Sequence, residues 1–178
     1  PQEFGDKVIP YSVGLIASKK YFQYGIFECD VMMPIGEWLW PAFWVYGNSL
    51  WPPEIDIFEG YTHDDTLCPN AFYDANEPKQ IGAYNCNVRD WQTRFHKYML
   101  WCEKDFIKIY YDGYCVFEIK DKKFLNKWYN TPDSFMRVVL NNSIYPPKDD
   151  TQPTCHQGMW VKNFKIYQKH NEQEREEH

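Results

Sequence analysis

Short runs rich in aromatic and β-branched residues, each bounded by Pro, Gly, Asn or Asp, recur along almost the whole chain, and they constrain the fold more than any other feature. They cover residues 11–17, 24–33, 41–46, 54–60, 70–74, 80–84, 96–103, 106–111, 114–119, 135–142 and 159–168. Helical periodicity is nearly absent, and only residues 122–129 predict a helical turn. Asp112-Gly113, between two such runs, is the strongest hairpin signal, because a tight two-residue turn needs positive φ at both positions. Many short strands at this spacing predict an all-β fold, a sandwich or a barrel. No internal repeat or linker divides the chain, so residues 1–169 are expected to form one domain. Residues 170–178, with four Glu and one Arg, read as a charged, disordered tail.

Aromatic residues are in excess at 19%, with 8 Trp, 14 Tyr and 12 Phe. A two-sheet sandwich needs bulk between its layers, but a core of this size uses fewer rings. A concave outer face lined with rings absorbs the surplus, and such a face suits flat sugar rings. The formal net charge is −6, half of it in the tail. That balance argues against a nucleic-acid partner, whose binders carry basic patches, and disfavours a polyanionic substrate. No run of 18 apolar residues is present, so no membrane span is expected. No signal-peptide pattern opens the chain, but Pro1 is not a natural start, which fits a leader removed during maturation. The six cysteines lack metal-binding spacing. Cys68 and Cys86 flank one hairpin and are the first pair to consider for a disulfide; reduced thiols packed as small apolar groups are the equal alternative.

The chemistry concentrates in Glu54-Ile55-Asp56-Ile57-Phe58-Glu59. In a strand, Glu54 and Asp56 share one face and Ile55 and Ile57 the other. Glu59 is five residues from Glu54, so a regular strand would turn it inward. A β-bulge around Ile57–Phe58 supplies the extra residue that returns it beside the other two. The row contains no Lys or Arg, unlike an ordinary solvated strand face, and crowded carboxylates repel, so one of them should hold its proton more tightly. Four effective steps of about 3.3 Å separate the outer Cα atoms by roughly 13 Å, and inward-leaning side chains leave roughly 5 Å between carboxyls. That is the separation of a retaining glycosidase; an inverting enzyme needs room for a water. A calcium site is the competing use of three acids, although calcium ligands come more often from loops.

More of the chain points the same way. Glu54 to Glu59 matches the bulged signature E-x-D-x-x-E. Tyr24-Gly25-Ile26-Phe27-Glu28 is similar to a YGxFE strand, and Trp40-Pro41-Ala42-Phe43-Trp44 to a WPAFW strand. Phe95-His96-Lys97-Tyr98, then Trp101 and Tyr111-Asp112-Gly113, follow an FHxY…W…DG block, and residues 136–141 and 161–168 look like two final strands. In these blocks, in order from 11 to 168, the chain resembles glycoside hydrolase family 16, the laminarinase and lichenase group. The resemblance implies a β-jelly-roll sandwich of two antiparallel sheets with a glycan cleft across the concave one. It also implies a retaining double displacement on a β-linked polysaccharide. Carried over by position, Glu54 is the nucleophile, Glu59 the general acid/base, and Asp56 a hydrogen-bond partner of the nucleophile. Such a pair needs one carboxylate ionised and one protonated near neutral pH.

For substrate binding, Trp44 and Tyr46 share a strand face with Ala42 and match aromatic positions that contact glucan in the lichenases. Trp51 stands where the family often stacks a ring near the cleavage point. Tyr73 lies on the strand after the acids. Asn141 could donate to a sugar hydroxyl or be a buried turn amide, and each aromatic also has a core reading. His96 and Trp101 are expected to be core residues. Three departures matter. Family members carry several strands before the equivalent of Tyr11, so the sandwich is expected to lack N-terminal strands and to expose sheet edges. Lys162 stands where the family often has an Asp that binds structural calcium, so no metal or other cofactor is expected. Asp30 stands where an Arg is frequent.

The expected function is endo-acting cleavage of β-1,3 or mixed β-1,3/1,4 glucan. The alternatives are hydrolysis of another β-linked polymer (agarose, carrageenan or porphyran) and glycan binding without catalysis. The expected partner is a β-linked polysaccharide or oligosaccharide, acted on by a monomer that is secreted, on the cell surface or periplasmic.

Overall fold

The computed structural model describes residues 2–4, 7–9, 11–47, 51–74, 79–82, 84–129, 135–145, 147, 149 and 151–169. The tail expected over 170–178 lies outside the described residues. In chain order the elements are β1 (Gln2–Phe4), β2 (Lys7–Ile9), β3 (Gly14–Ala17), β4 (Gly25–Met32), β5 (Leu39–Gly47), β6 (Glu54–Tyr61) and β7 (Thr66–Tyr73). They continue with β8 (Lys79–Gly82), β9 (His96–Glu103), β10 (Phe106–Tyr111), β11 (Tyr114–Ile119), α1 (Lys122–Tyr129), β12 (Met136–Ile144) and β13 (Trp160–Tyr167). A six-stranded sheet in the order β3-β12-β5-β6-β7-β8 faces a five-stranded sheet in the order β11-β10-β9-β4-β13, and every pairing is antiparallel. The all-β, two-sheet sandwich expected from the strand pattern is the observed architecture. The first residues add a small hairpin of β1 and β2.

Alternation builds the core. β4 turns Phe27, Cys29 and Val31 inward and β9 turns Tyr98, Leu100 and Cys102 inward; all six are fully buried. Opposite them lie Phe43 and Val45 of β5 and Ile55, Ile57 and Phe58 of β6. Burying each large apolar side chain contributes about 1.5–3 kcal/mol. Asp112 and Gly113 adopt φ of 48° and 85°, the two positive values expected of the β10–β11 hairpin turn. Asp121 caps α1 through a 2.7 Å hydrogen bond from the Phe124 amide, and the helix buries Phe124, Leu125, Trp128 and Tyr129.

β7 starts at Thr66, four positions before the sequence pattern places it. Pro69 obscures that start, because proline is rarely found inside a strand. The ladder explains why it is tolerated. Asp56 pairs with Asn70 and Glu59 with Cys68, so Pro69 alone stands opposite Ile57 and Phe58; Leu67, two residues before it, bonds to Asn85 and Cys86, so the position of Pro69 faces away from β6 and removes no bond from that ladder.

Two expectations about packing change. Trp101 is not a core residue: the buried positions of β9 are its even-numbered neighbours, and Trp101 lies half-buried on the outer face, edge-on to Phe106 at 5.1 Å. Cys68 and Cys86 are free thiols, like the other four cysteines. The Cys86 amide donates to the Leu67 carbonyl, while the Cys68 thiol lies against the Glu59 carbonyl and the Cys86 thiol against that of Tyr84. Burial pushes the Cys68 thiol up to about 12, the behaviour of a packed, unreactive group.

On one side of the sandwich the two sheets end on the edge strands β3 and β13. At the β3 edge Leu15 is 58% and Ile16 67% exposed, and at the β13 edge Trp160 is 57% exposed. Between them Val138, Val139, Leu140, Val161 and Phe164 line an apolar trough of about 390 Å³.

Candidate active site

β6 supplies the site. On the β5 side Phe43 pairs with Phe58 and Trp44 with Asp56, so Ile57 has no partner: the bulge required by the spacing of the acids is present where parity demands it. Ile57 and Phe58 both enter the core, and the strand regains its phase with Glu59 on the face of Glu54 and Asp56. The three carboxylates line one groove of about 200 Å³ with Trp40, Ala42, Trp44, Asn141, Ser143 and Leu15. The groove therefore runs from β6 across β5 and β12 to the edge strand β3. Ala42 is paired with Glu59, and its small side chain leaves the groove open there.

The acids differ in their surroundings. Glu54 accepts a hydrogen bond from Trp51 Nε1 at 3.1 Å. Burial raises its pKa, the Trp51 donor lowers it and the charge of Glu59 raises it again, leaving it at about 7. Asp56 is 3% exposed, and its Oδ2 is buried with no hydrogen-bond partner among the described residues. Burial first, then the negative charges of Glu59 and Glu54, push its carboxyl well above the usual carboxylate range. Glu59 is instead surrounded by donors: Trp40 Nε1 at 3.0 Å, Tyr61 OH at 3.1 Å and Asn70 Nδ2 at 3.2 Å. Glu54 and Asp56 are both raised and feel each other's field, so their first ionisation belongs to the pair rather than to one residue.

Of the expected sugar contacts, four lie around the groove. Trp44 lines it, with its indole N–H bonded to Asn141 Oδ1 at 2.6 Å and its ring 5.1 Å from that of Tyr46. Tyr46 pairs with Glu54 in the ladder. Trp51 is 52% exposed beside Glu54. Asn141 is 7% exposed; its carbonyl is taken by Trp44 and its amide donates to Ser143 Oγ at 3.0 Å, so much of its hydrogen-bonding capacity is already used. Tyr73 is not at the groove. It points to the opposite face of β7 and meets Phe124 of α1 at 4.5 Å. The ring on the groove side is Phe72, paired with Glu54 and 5.3 Å from the Trp51 ring.

Sequence reasoning missed Trp40, Tyr61, Asn70, Phe72 and Gln80. Two of them carried a signal: Trp40 has the parity of Ala42, Trp44 and Tyr46, and Tyr61 has the parity of Glu59 once the bulge is passed. A further aromatic group, Trp38 stacked on His63 at 4.3 Å and His63 on Tyr145 at 5.1 Å, borders Trp40 and Tyr61 and absorbs more of the aromatic excess. His96 lies away from the acids, with Nδ1 2.7 Å from Asp112 Oδ2.

Around Lys162 the side chains are of mixed charge. Lys162 pairs with Asp30, and its ammonium lies 3.9 Å from the centroid of the Phe95 ring. Burial raises the Asp30 carboxyl, but the Asn163 hydrogen bond and the charges of Lys97 and Lys162 outweigh it and hold the carboxyl low. Among the described residues no group of three or more His, Cys, Asp or Glu side chains is placed to hold a metal ion.

A bulged strand presenting three carboxylates to a ring-lined groove on one sheet of a β-sandwich is an arrangement found in carbohydrate-active proteins. The family profile of glycosyl hydrolases family 16 matches residues 6–162. The chain belongs to that family. It is 32% identical over 108 residues to the endo-1,3-1,4-beta-glycanase EglC of Rhizobium meliloti (strain 1021), covering 58% of this chain and 23% of that protein. It is 35% identical over 109 residues to a beta-1,3-glucan-binding protein of Penaeus monodon, covering 51% of this chain and 30% of that one. The chain thus spans less than a third of the length of these curated relatives. Its fold is similar to that of the laminarinase catalytic domain from Thermotoga maritima MSB8, with a TM-score of 0.68 and 24% identity over 88% of this chain and 69% of that one. The jelly-roll sandwich is the fold of that domain.

Proposed function

We propose that this protein is a retaining, endo-acting β-glucanase that cleaves β-1,3 or mixed β-1,3/1,4 glucan. Glu54 attacks the anomeric carbon while Glu59 protonates the departing glycosidic oxygen. Glu59 then takes a proton from the water that releases the sugar from Glu54. Asp56, protonated and next to Glu54, stabilises the nucleophile and shares its titration. The observation that carries this reading is the row of three carboxylates lining one groove. The proposal assigns no metal to the reaction, because two carboxylates suffice for a double displacement. A polymeric substrate is met outside the cytoplasm, so the reading carries a secreted or cell-surface location.

No Lys or Arg lines the groove among the described residues, which favours a neutral glucan over a sulfated galactan. The test is a panel of laminarin, lichenan, agarose and carrageenan, with product anomers followed by NMR. Turnover of the glucans to products of retained β configuration is expected, with Glu54→Gln inactive. Equal behaviour of wild type and Glu54→Gln on every polymer refutes the proposal. A second reading, glycan binding without catalysis, is favoured by the similarity to the Penaeus monodon protein. Oligosaccharide bound by wild type and left intact through long incubation supports it.

A further inference from the structure

Glu59 is surrounded differently from its two neighbours. Its Oε1 accepts two hydrogen bonds, from the Trp40 indole and the Tyr61 hydroxyl, and its Oε2 accepts one, from the Asn70 amide. A carboxyl oxygen has two lone pairs, so Oε1 is filled and Oε2 keeps one position. The two donors on Oε1 are constant ones. An indole N–H cannot accept. The Tyr61 phenol is pushed far up, first by burial and then by Glu59, so it keeps its proton. The Tyr61 ring is fixed between Trp40 at 5.7 Å and the edge of Tyr145 at 5.4 Å.

Asn70 is fixed from behind. It is 2% exposed, and its Oδ1 accepts from Gln80 Nε2 at 3.1 Å and from the Ala71 amide at 3.0 Å. An Asn70 amide whose oxygen is held on that side has only its NH2 to offer Glu59. A flipped amide would set oxygen against carboxylate oxygen and leave Gln80 unsatisfied.

We propose that Trp40 and Tyr61 fill Oε1 of Glu59 and that Gln80, acting through Asn70, orients Oε2, so that the transferable proton rides on Oε2 and points into the groove. The proposal rests on Glu59 being the general acid/base. The Oε2 proton passes to the glycosidic oxygen as the bond from that oxygen to the anomeric carbon breaks and the bond to Glu54 forms, and the leaving sugar departs as an alcohol. In the second half the attacking water returns a proton to Oε2 as the bond to Glu54 breaks. Trp40, Tyr61, Asn70 and Gln80 act through Glu59 and are positioning residues.

The test uses leaving-group dependence. A dinitrophenyl glycoside leaves without help from an acid, whereas a sugar alcohol needs the proton, and kcat/KM reports only the steps up to departure. Glu59→Ala is expected to lower kcat/KM on a β-gluco-oligosaccharide by at least about a hundredfold and much less on the dinitrophenyl glycoside. Tyr61→Phe and Gln80→Ala are expected to lose about tenfold on the oligosaccharide and less than about twofold on the activated substrate. Gln80 is exposed, so its replacement leaves the core untouched, and thermal unfolding checks both variants. Equal losses on both substrates, or no loss, in Tyr61→Phe and Gln80→Ala alone overturn the clamp and leave Glu59 as the acid. Absence of leaving-group dependence in Glu59→Ala overturns the acid assignment and the clamp with it.

Discussion

Trp51 donates its indole N–H to Glu54 Oε2 over 3.1 Å from a ring that is more than half exposed, so the donor to the proposed nucleophile sits at the mouth of the groove. That hydrogen bond opposes burial, the larger influence on Glu54, which stands at about 7. Trp51→Phe keeps a ring and removes the donor. The Glu54 carboxylate should then form at higher pH, and the acidic limb of the kcat/KM profile should move up by roughly half a unit to one unit. A limb that stays in place or moves down shows that the indole does not stabilise the ionised nucleophile.

Asp56 yields a stability prediction of opposite character to its role in activity. Its folded carboxyl is raised well above the ordinary carboxylate range. The native state therefore holds a proton that the unfolded chain releases, and this contribution is present at low pH and lost as pH rises through the folded value. Asp56→Asn has no proton to lose. It should melt higher than wild type near pH 7, and the gap should close below about pH 4, where the unfolded carboxyl is protonated as well. Activity should fall by about tenfold to a hundredfold. Calorimetry across that pH range, with parallel assays, measures both.

Phe72 and Tyr73 are adjacent in sequence and opposite in consequence. Phe72→Ala removes the ring beside Trp51 and is expected to raise KM several-fold with little change in Tm. Tyr73→Ala breaks the contact with Phe124 and should destabilise by about 1–3 kcal/mol while kcat/KM on glucan stays near wild type. Steady-state kinetics and thermal melts on the pair decide which ring belongs to the substrate.

The open edge at β3 predicts self-association on heating. Ile16 is 67% exposed on an edge strand and borders the apolar trough rather than the groove. An added charge on such an edge discourages strand pairing between molecules. Ile16→Lys should raise the onset temperature of light scattering and leave turnover unchanged.

What could be read from the sequence was what depends on one strand at a time. Parity places Glu54 and Asp56 together and demands an extra residue before Glu59, and the ladder supplies it at Ile57. The turn at Asp112-Gly113 is local chemistry and holds. Contacts between strands were not legible, because a side chain finds its neighbours only once the register is known. Asn70 reaches Glu59 although its ladder partner is Asp56, an offset that the bulge creates. Tyr73 was expected at the groove through a one-residue error of face, in a strand whose start is concealed by Pro69. Trp101, expected in the core, takes a position in β9 that sends it outward.

The Ile57–Phe58 bulge sets the spacing of the acids along β6 as well as their face. Deleting either bulged residue would keep all three acids on one face, since the shortened spacing is again even. It would also restore a regular ladder and draw Glu59 one residue nearer to Glu54 along the chain. A descendant that loses the extra residue should therefore keep the acids in one row but narrow the gap in sequence between the proposed nucleophile and the proposed acid.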